Sequence, residues 1–246
     1  DGTIHQKYEG AFERNQQNGR GKCIHYYSDG TIHQKYEGAY ERGKPHGEGI
    51  LTIYHNDGTT IKSKYEGAYE CGKPHGEGIL TIYHNDGTTI KSKYEGAFER
   101  TYHHGQGTRI VYRADGTTIK SKYEGAYERN EPNGEGTLLI YHADGTTIAK
   151  QYEGYFQAGK LHGRGKIIIP KNGNILESVG SFLFGLKHGD FTVREKIMVD
   201  GNVVKMTERI EKWKLESKQV FTEEQSGLNK RSLSANTSQS NKRRKN

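Results

Sequence analysis

One seven-residue phrase returns along this chain almost unchanged. Tyr36-Glu37-Gly38-Ala39-Tyr40-Glu41-Arg42 reappears from Tyr65, Tyr94 and Tyr123, each copy 29 residues after the last. Self-similarity at that period dictates a stack of like units, each contacting its neighbours, in place of a globule around one central core. Such a stack repeats a surface and is a poor setting for a single active site. Counted from the opening Tyr, units begin at Tyr8, Tyr36, Tyr65, Tyr94, Tyr123 and Tyr152, with a degenerate seventh from Ser178. The spacings are 28, 29, 29, 29, 29 and 26. Residues 1–7 match the second half of a unit, so they are expected to be the cut end of a preceding repeat.

Within a unit the residue types alternate. In Ile90–Glu99, Ile90, Ser92, Tyr94, Gly96 and Phe98 fall on one face, while Lys91, Lys93, Glu95, Ala97 and Glu99 fall on the other. Period two with one aromatic and one charged face predicts a half-solvated β-strand. Gly96 between two aromatic positions predicts a neighbouring ring laid over it. A β-branched run, Ile79–Tyr83, precedes Asp86-Gly87, and Asp-Gly between alternating runs is the strongest short hairpin signal. Two strands per unit then build an all-β, elongated antiparallel single-sheet ribbon of tandem hairpins. Its rungs lie about 10 Å apart, giving roughly 70 Å for seven units. The packing positions are Tyr36, Gly38, Tyr40, Tyr65, Gly67, Tyr69, Tyr94, Gly96, Phe98, Tyr123, Gly125, Tyr127, Tyr152 and Gly154.

The domain reading is six repeats over 8–177, a degenerate capping repeat over 178–221, and a disordered basic tail over 222–246. Over 190–210 a hairpin is favoured around Asp200-Gly201. The competing reading is a helix over 203–218, carried by Val203, Met206, Ile210 and Trp213 at helical spacing. The low apolar fraction, 31%, with 33 glycines argues against a large core, and the 17 tyrosines suit a sheet that packs rings while wetting hydroxyls. The net charge of +7 is uneven: the tail alone holds six basic residues against two acidic ones. The repeats themselves are near neutral and do not read as a nucleic-acid surface. No apolar run approaches the roughly 18 residues of a membrane span.

Catalytic and metal chemistry finds little support. His46, His75, His104, His162 and His188 share one repeat position beside a turn. Rungs about 10 Å apart cannot converge on one metal ion. Each is expected to bond a turn carbonyl of its own unit, as Asn18 and Asn133 would in the units that lack the histidine. A second column, His55, His84 and His142, flanks the Asp-Gly and is expected in solvent. Recurring carboxylates such as Glu66 and Glu70 see the same environment each time, whereas a catalytic pair needs two. Cys23 and Cys71 occupy different repeat positions and read as free thiols. No cofactor is called for.

The frame Tyr-x-Gly-x-aromatic-x-x-Gly-x-x-His-Gly-x-Gly, followed by Asp-Gly, resembles the MORN repeat. Tyr36 to Gly49 matches every marked position, and the frame also holds from Tyr65 and Tyr152. The usual repeat of that family is about 23 residues. Six extra residues here flank the Asp-Gly, lengthening the edge that carries Tyr83, His84, Ile90 and Lys91. The resemblance implies a non-catalytic scaffold for protein–protein contacts, self-association included, with attachment at membranes or the cytoskeleton. The alternative it implies is a regulatory array of a larger enzyme, a phosphatidylinositol phosphate kinase or lysine methyltransferase, with its catalytic domain upstream.

Anionic phospholipid headgroups are a second partner class, through the lysine columns Lys62, Lys64, Lys91, Lys93, Lys120 and Lys122. Lys230, Arg231, Lys242, Arg243, Arg244 and Lys245 have the form of a bipartite nuclear-import signal. The expected location is intracellular: cytoplasmic, or peripheral at membrane or cytoskeleton, with nuclear entry through that tail.

Overall fold

A computed structural model describes residues 5–214 and 217–219 of the chain. The basic tail with its import cluster, and most of the expected repeat end at 1–7, lie outside the described residues. The fold is all-β. Its strands are β1 (Gln6–Glu13), β2 (Gln16–Tyr26), β3 (Ile32–Glu41), β4 (Lys44–Tyr54), β5 (Ile61–Glu70), β6 (Lys73–Tyr83), β7 (Ile90–Glu99) and β8 (Tyr102–Tyr112). They continue as β9 (Ile119–Glu128), β10 (Glu131–Tyr141), β11 (Ile148–Gln157), β12 (Lys160–Lys171), β13 (Asn174–Leu183), β14 (Leu186–Val199), β15 (Asn202–Lys214) and β16 (Ser217–Gln219). The strands are antiparallel in an open sheet whose order is the chain order. The chain falls into two compact units, Asp1–Gln151 with Phe156–Gly159, and Tyr152–Tyr155 with Lys160–Asn246.

In the first unit the tight hairpin turn is not at Asp-Gly. It is at Arg42-Gly43, Cys71-Gly72, Arg100-Thr101 and Arg129-Asn130, two residues each, all with positive φ (49° and 76° at Arg42 and Gly43). That is the type I′ geometry, whose twist matches the strands it joins. The Asp-Gly segments form wider loops. The His55 N–H donates to the Thr60 carbonyl (2.8 Å) and the Gly58 N–H to the His55 carbonyl (3.0 Å). Inside that loop the Asp57 carboxylate accepts from the Thr59 N–H (2.9 Å), the Thr60 N–H (2.8 Å) and the Thr60 hydroxyl. Only Gly58 takes a positive φ there. An aspartate that caps its own loop needs two more residues than a tight turn allows. The first loop closes one residue earlier, Tyr27 N–H to Thr31 carbonyl (2.8 Å), which accounts for the single 28-residue spacing.

Register lines the glycines up across the strands: Gly10, Gly21, Gly38, Gly49, Gly67, Gly78, Gly96, Gly107, Gly125 and Gly136 are successive partners. The row exists because a ring lies on it. A Cβ on Gly49 would strike the Tyr36 ring, with Cε2 at 2.5 Å. The covering ring comes from the same repeat, two residues before its own glycine, and not from a neighbour. A bulge follows the first glycine of each repeat, between Gly38 and Tyr40 for example. There the Tyr36, Tyr65, Tyr94 and Tyr123 hydroxyls donate to the carbonyls of Ala39, Ala68, Ala97 and Ala126 at 2.9–3.1 Å.

These rings alternate with a second column. Tyr8, Tyr40, Tyr36, Tyr69, Tyr65, Phe98, Tyr94, Tyr127, Tyr123 and Phe156 form an edge-to-face zigzag with centroids 4.9–5.2 Å apart. The rings bury one another: those from Tyr36 to Phe156 are all at most 5% exposed. Each edge-to-face pair adds about 0.5–1.5 kcal/mol beyond area burial. The aromatic face thus needs no second sheet.

The second unit keeps this plan with exchanged parts. Ser178 stands where the covering tyrosine belongs, and Phe191 stands where its glycine partner belongs. The Phe191 ring lies over Gly180 at 2.7 Å from a would-be Cβ, so the ring arrives from across the strand pair. Around Gly154 and Gly165 the cover is Leu161, which is buried, and Tyr152 is only half-buried. Over 190–210 the chain forms the β14–β15 hairpin, turned at Asp200-Gly201 with φ of 50° and 78°. The helical alternative for 203–218 is thereby corrected: period-two pairing with β14 wins over the weak 3.6-residue pattern.

Candidate functional site

With the rings closed on themselves, the surface the first unit presents is its charged face. Alternation and register set three rows there. One carries Lys35, Lys64, Lys93 and Lys122. The next carries Glu37, Glu66, Glu95 and Glu124, interleaved with Ile50, Ile79, Thr108 and Thr137. The third alternates Ala39, Ala68, Ala97 and Ala126 with Glu48, Glu77, Gln106 and Glu135. The side-chain positions of the glycine row face the tyrosine rings, and on the charged face a trough runs over the glycine backbone between the second and third rows. A hollow of about 750 Å³ lies along it, lined by Gly21, Gly38, Gly49 and Gly67 between Glu37, Ile50 and Glu66 on one bank and Arg20 and Glu48 on the other.

Each lysine of the first row is engaged by the glutamate two residues on: Lys35–Glu37 at 2.9 Å, Lys64–Glu66 at 2.9 Å, Lys93–Glu95 at 3.0 Å and Lys122–Glu124 at 2.8 Å. Surface pairs like these contribute little to stability. Their consequence is electrostatic: Lys64, Lys93 and Lys122 are neutralised in place. Lys62, Lys91 and Lys120 are the extra residues of a second bulge, near the Asp-Gly edge, and are exposed. Lys91 borders a shallow hollow with Tyr83, His84, Asn85 and Asp86. Glu48, Glu77 and Glu135 have no ion-pair partner among the described residues.

The MORN repeat family model matches residues 8–31, 36–54, 65–83, 94–110, 123–140 and 152–173. The chain belongs to the MORN-repeat family. A search of curated proteins finds no match. The degenerate seventh unit from Ser178 lies beyond the six matched repeats.

The MORN histidines lie in strands, three residues after the tight turn. Their partner is a carboxylate and not the carbonyl expected from the sequence: His46–Glu41 at 3.5 Å, His75–Glu70 and His104–Glu99 at 3.4 Å. Asn18 and Asn133 donate to the equivalent Glu13 and Glu128. His162 has Gln157 at that place and instead accepts from the Phe184 N–H at 3.4 Å, and His188 is exposed with Leu183 at that place. In the second histidine column His142 is exposed, but His55 and His84 are half-buried. Among the described residues no group of three or more His, Cys, Asp or Glu is placed to hold a metal ion. No helix is long and apolar enough to cross a membrane.

Turns of successive MORN units are tied together, which the sequence reading did not anticipate. Each turn's second N–H donates to the carbonyl of the preceding unit at the position before His or Asn: Gly43 to Gln17 (2.9 Å), Gly72 to Pro45 (2.8 Å), Thr101 to Pro74 (2.9 Å), Asn130 to His103 (3.1 Å) and Gly159 to Pro132 (2.9 Å). Proline suits this site because its nitrogen carries no hydrogen to satisfy. His103 restores that hydrogen, and the Asn130 side chain accepts it at 2.8 Å. The His103 ring stacks on Tyr94 at 3.6 Å. Burial, and then the Arg109 charge, pulls its pKa down to about 4. The signal was visible: the one turn bearing Asn130 follows the one inner unit that replaces the proline with His.

The loop aspartates Asp57, Asp86, Asp115 and Asp144 are held at about 2 by their threonine hydroxyl and backbone N–H donors. They are structural caps. On the aromatic face burial pushes the Tyr36, Tyr94 and Tyr123 hydroxyls up to about 12, so all stay protonated and act as donors.

Proposed function

We propose that this MORN array is a non-catalytic scaffold that holds protein partners on its charged face. The observation that carries the reading is the self-burial of the aromatic face, which leaves the charged rows and the glycine trough as the repeated surface. Every charged group there recurs unit by unit in one environment, the opposite of the split environments that acid–base catalysis requires. Rows at fixed register favour an extended partner that touches several units at once, gaining affinity by multivalency. Attachment to membrane or cytoskeleton would use the same face or its Asp-Gly edge.

The test reverses one bank of the trough. Glu48→Lys, Glu77→Lys and Glu135→Lys together should abolish the capture of partners by the parent chain from native cytoplasm, with the thermal melt unchanged. Equal capture by parent and variant, or partner crosslinks confined to the aromatic face, would overturn the reading.

A further inference from the structure

The dipeptide Asp-Gly occurs six times among the described residues, opening at Asp29, Asp57, Asp86, Asp115, Asp144 and Asp200. It is open to one spontaneous reaction, because glycine has no Cβ to hinder its own nitrogen. That nitrogen attacks the aspartate Cγ, the carboxyl hydroxyl leaves with the amide hydrogen as water, and a succinimide ring closes. Water then opens either ring carbonyl. Breaking the new N–Cγ bond restores aspartate. Breaking the old peptide bond gives isoaspartate, with the main chain running through the side-chain carbonyl. No oxidant or cofactor is needed.

Five of the six are guarded at both reacting groups. The Gly30, Gly58, Gly87, Gly116 and Gly145 N–H groups donate to loop carbonyls at 3.0–3.1 Å. Each carboxylate accepts from threonines two or three residues on. Asp29 accepts from the Thr31 N–H (2.9 Å) and hydroxyl (2.6 Å), and Asp144 from the Thr146 and Thr147 N–H groups (2.9 Å each). Such donors keep the carboxylate ionised, and water departs only from the protonated carboxyl. Gly58, Gly87, Gly116 and Gly145 also press on the preceding loop: a Cβ on any of them would lie 2.5–2.7 Å from it.

Asp200-Gly201 has none of this. It is an exposed two-residue turn, and among the described residues neither the Asp200 carboxylate nor the Gly201 N–H has a hydrogen-bond partner. A Cβ on Gly201 would meet nothing within 4 Å. β13 pairs with β14 only as far as Lys196, beyond which the Asn174 side chain accepts from the Met198 N–H at 3.4 Å. Val199 and Val203 beside the turn are 52% exposed. Turning Cγ onto the Gly201 nitrogen therefore disturbs little beyond the Val199–Asn202 pair, and such tips open at the low end of local stability. We propose that Asp200-Gly201 is where this folded chain forms isoaspartate, which makes it a substrate site for a methyltransferase that esterifies isoaspartyl carboxylates. The product adds a main-chain atom to a turn built from two residues, so the pairing of Val199 with Asn202 is lost.

The full-length chain carries its own controls, because the reacting dipeptide is the same six times. After weeks of incubation near neutral pH, digestion and electron-transfer fragmentation, which separates isoaspartate from aspartate, give a rate for each site. In the folded chain Asp200 should isomerise at least tenfold faster than any of the other five. In guanidinium chloride the six rates should converge to within about threefold. An isoaspartyl methyltransferase supplied with labelled S-adenosylmethionine should label the Ile197–Lys205 peptide of the incubated folded chain and not the five loop peptides. Equal rates at all six sites of the folded chain, a faster rate at any loop aspartate, or an unlabelled Ile197–Lys205 peptide overturns the proposal. A spread that survives in guanidinium chloride would also sink it, since neighbouring sequence and not the fold would then set the rates.

Discussion

Two columns of tyrosine differ in what their hydroxyls do. Those of Tyr36, Tyr65, Tyr94 and Tyr123 bond the bulge carbonyl, whereas the buried hydroxyls of Tyr69 and Tyr127 have no partner among the described residues. Phe98 and Phe156 hold the same position as Tyr69. Tyr65→Phe should therefore lower stability by about 1 kcal/mol, and Tyr69→Phe should leave it level or raise it, as read from urea midpoints. His103 and Asn130 form a second local pair. Asn130→Gly should cost about 1–2 kcal/mol beside His103 and nearly nothing beside His103→Pro, because no N–H is then stranded. The same histidine adds a pH dependence. Its folded pKa lies below its ordinary value, so the stabilisation is complete above about 6.5 and is lost as pH falls through about 4. The loss is on the order of 3 kcal/mol. Melting across pH 4–7 should show that slope in the parent and not in His103→Pro.

At the scale of the strand, the lysines of one repeat are not equivalent. Lys62, Lys91 and Lys120 sit at the bulge that follows each Asp-Gly loop, two residues outside the lysines Lys64, Lys93 and Lys122 that the glutamates occupy. If the array meets anionic headgroups, the outer three carry the contact. Replacing them together with Glu should reduce flotation with phosphatidylserine vesicles, while Lys64→Gln, Lys93→Gln and Lys122→Gln should not. The strands and their faces were legible because period-two alternation is local and repeated. Both turns of a repeat were legible as turns, but not which of them is tight: Arg42-Gly43 and Cys71-Gly72 have no strong compositional mark at their first residue, whereas Asp-Gly carries the mark but spends it on capping a wider loop. Nor were the His–Glu and Lys–Glu pairings legible, since they depend on bulges that shift register, and a bulge leaves no trace in a count of residues.

Across the whole molecule, each repeat satisfies itself and its neighbour in the same way, and its departures come in compensating pairs. Ser178 with Phe191, and His103 with Asn130, each exchange a missing part for one supplied from the adjoining strand or unit. Such pairs are hidden in a single unit and appear only when units are superposed in register. The six repeats were readable from the phrase alone. The second unit's plan was less so, because the exchanged residues erase the phrase while keeping the geometry.

The turn-to-carbonyl ladder bears on how such a chain can change its length. Every period brings one donor for the period behind it and one acceptor for the period ahead, so removing Tyr65–Lys93 joins Lys64 to Tyr94 and lets Thr101 meet Pro45 in place of Pro74. The shortened chain should give the parent's circular dichroism per residue and a single melt, whereas a cut of half that span should not fold. Gain or loss by whole periods is then nearly silent for the fold, and heredity can lengthen or trim this array as one edits a sentence by whole clauses.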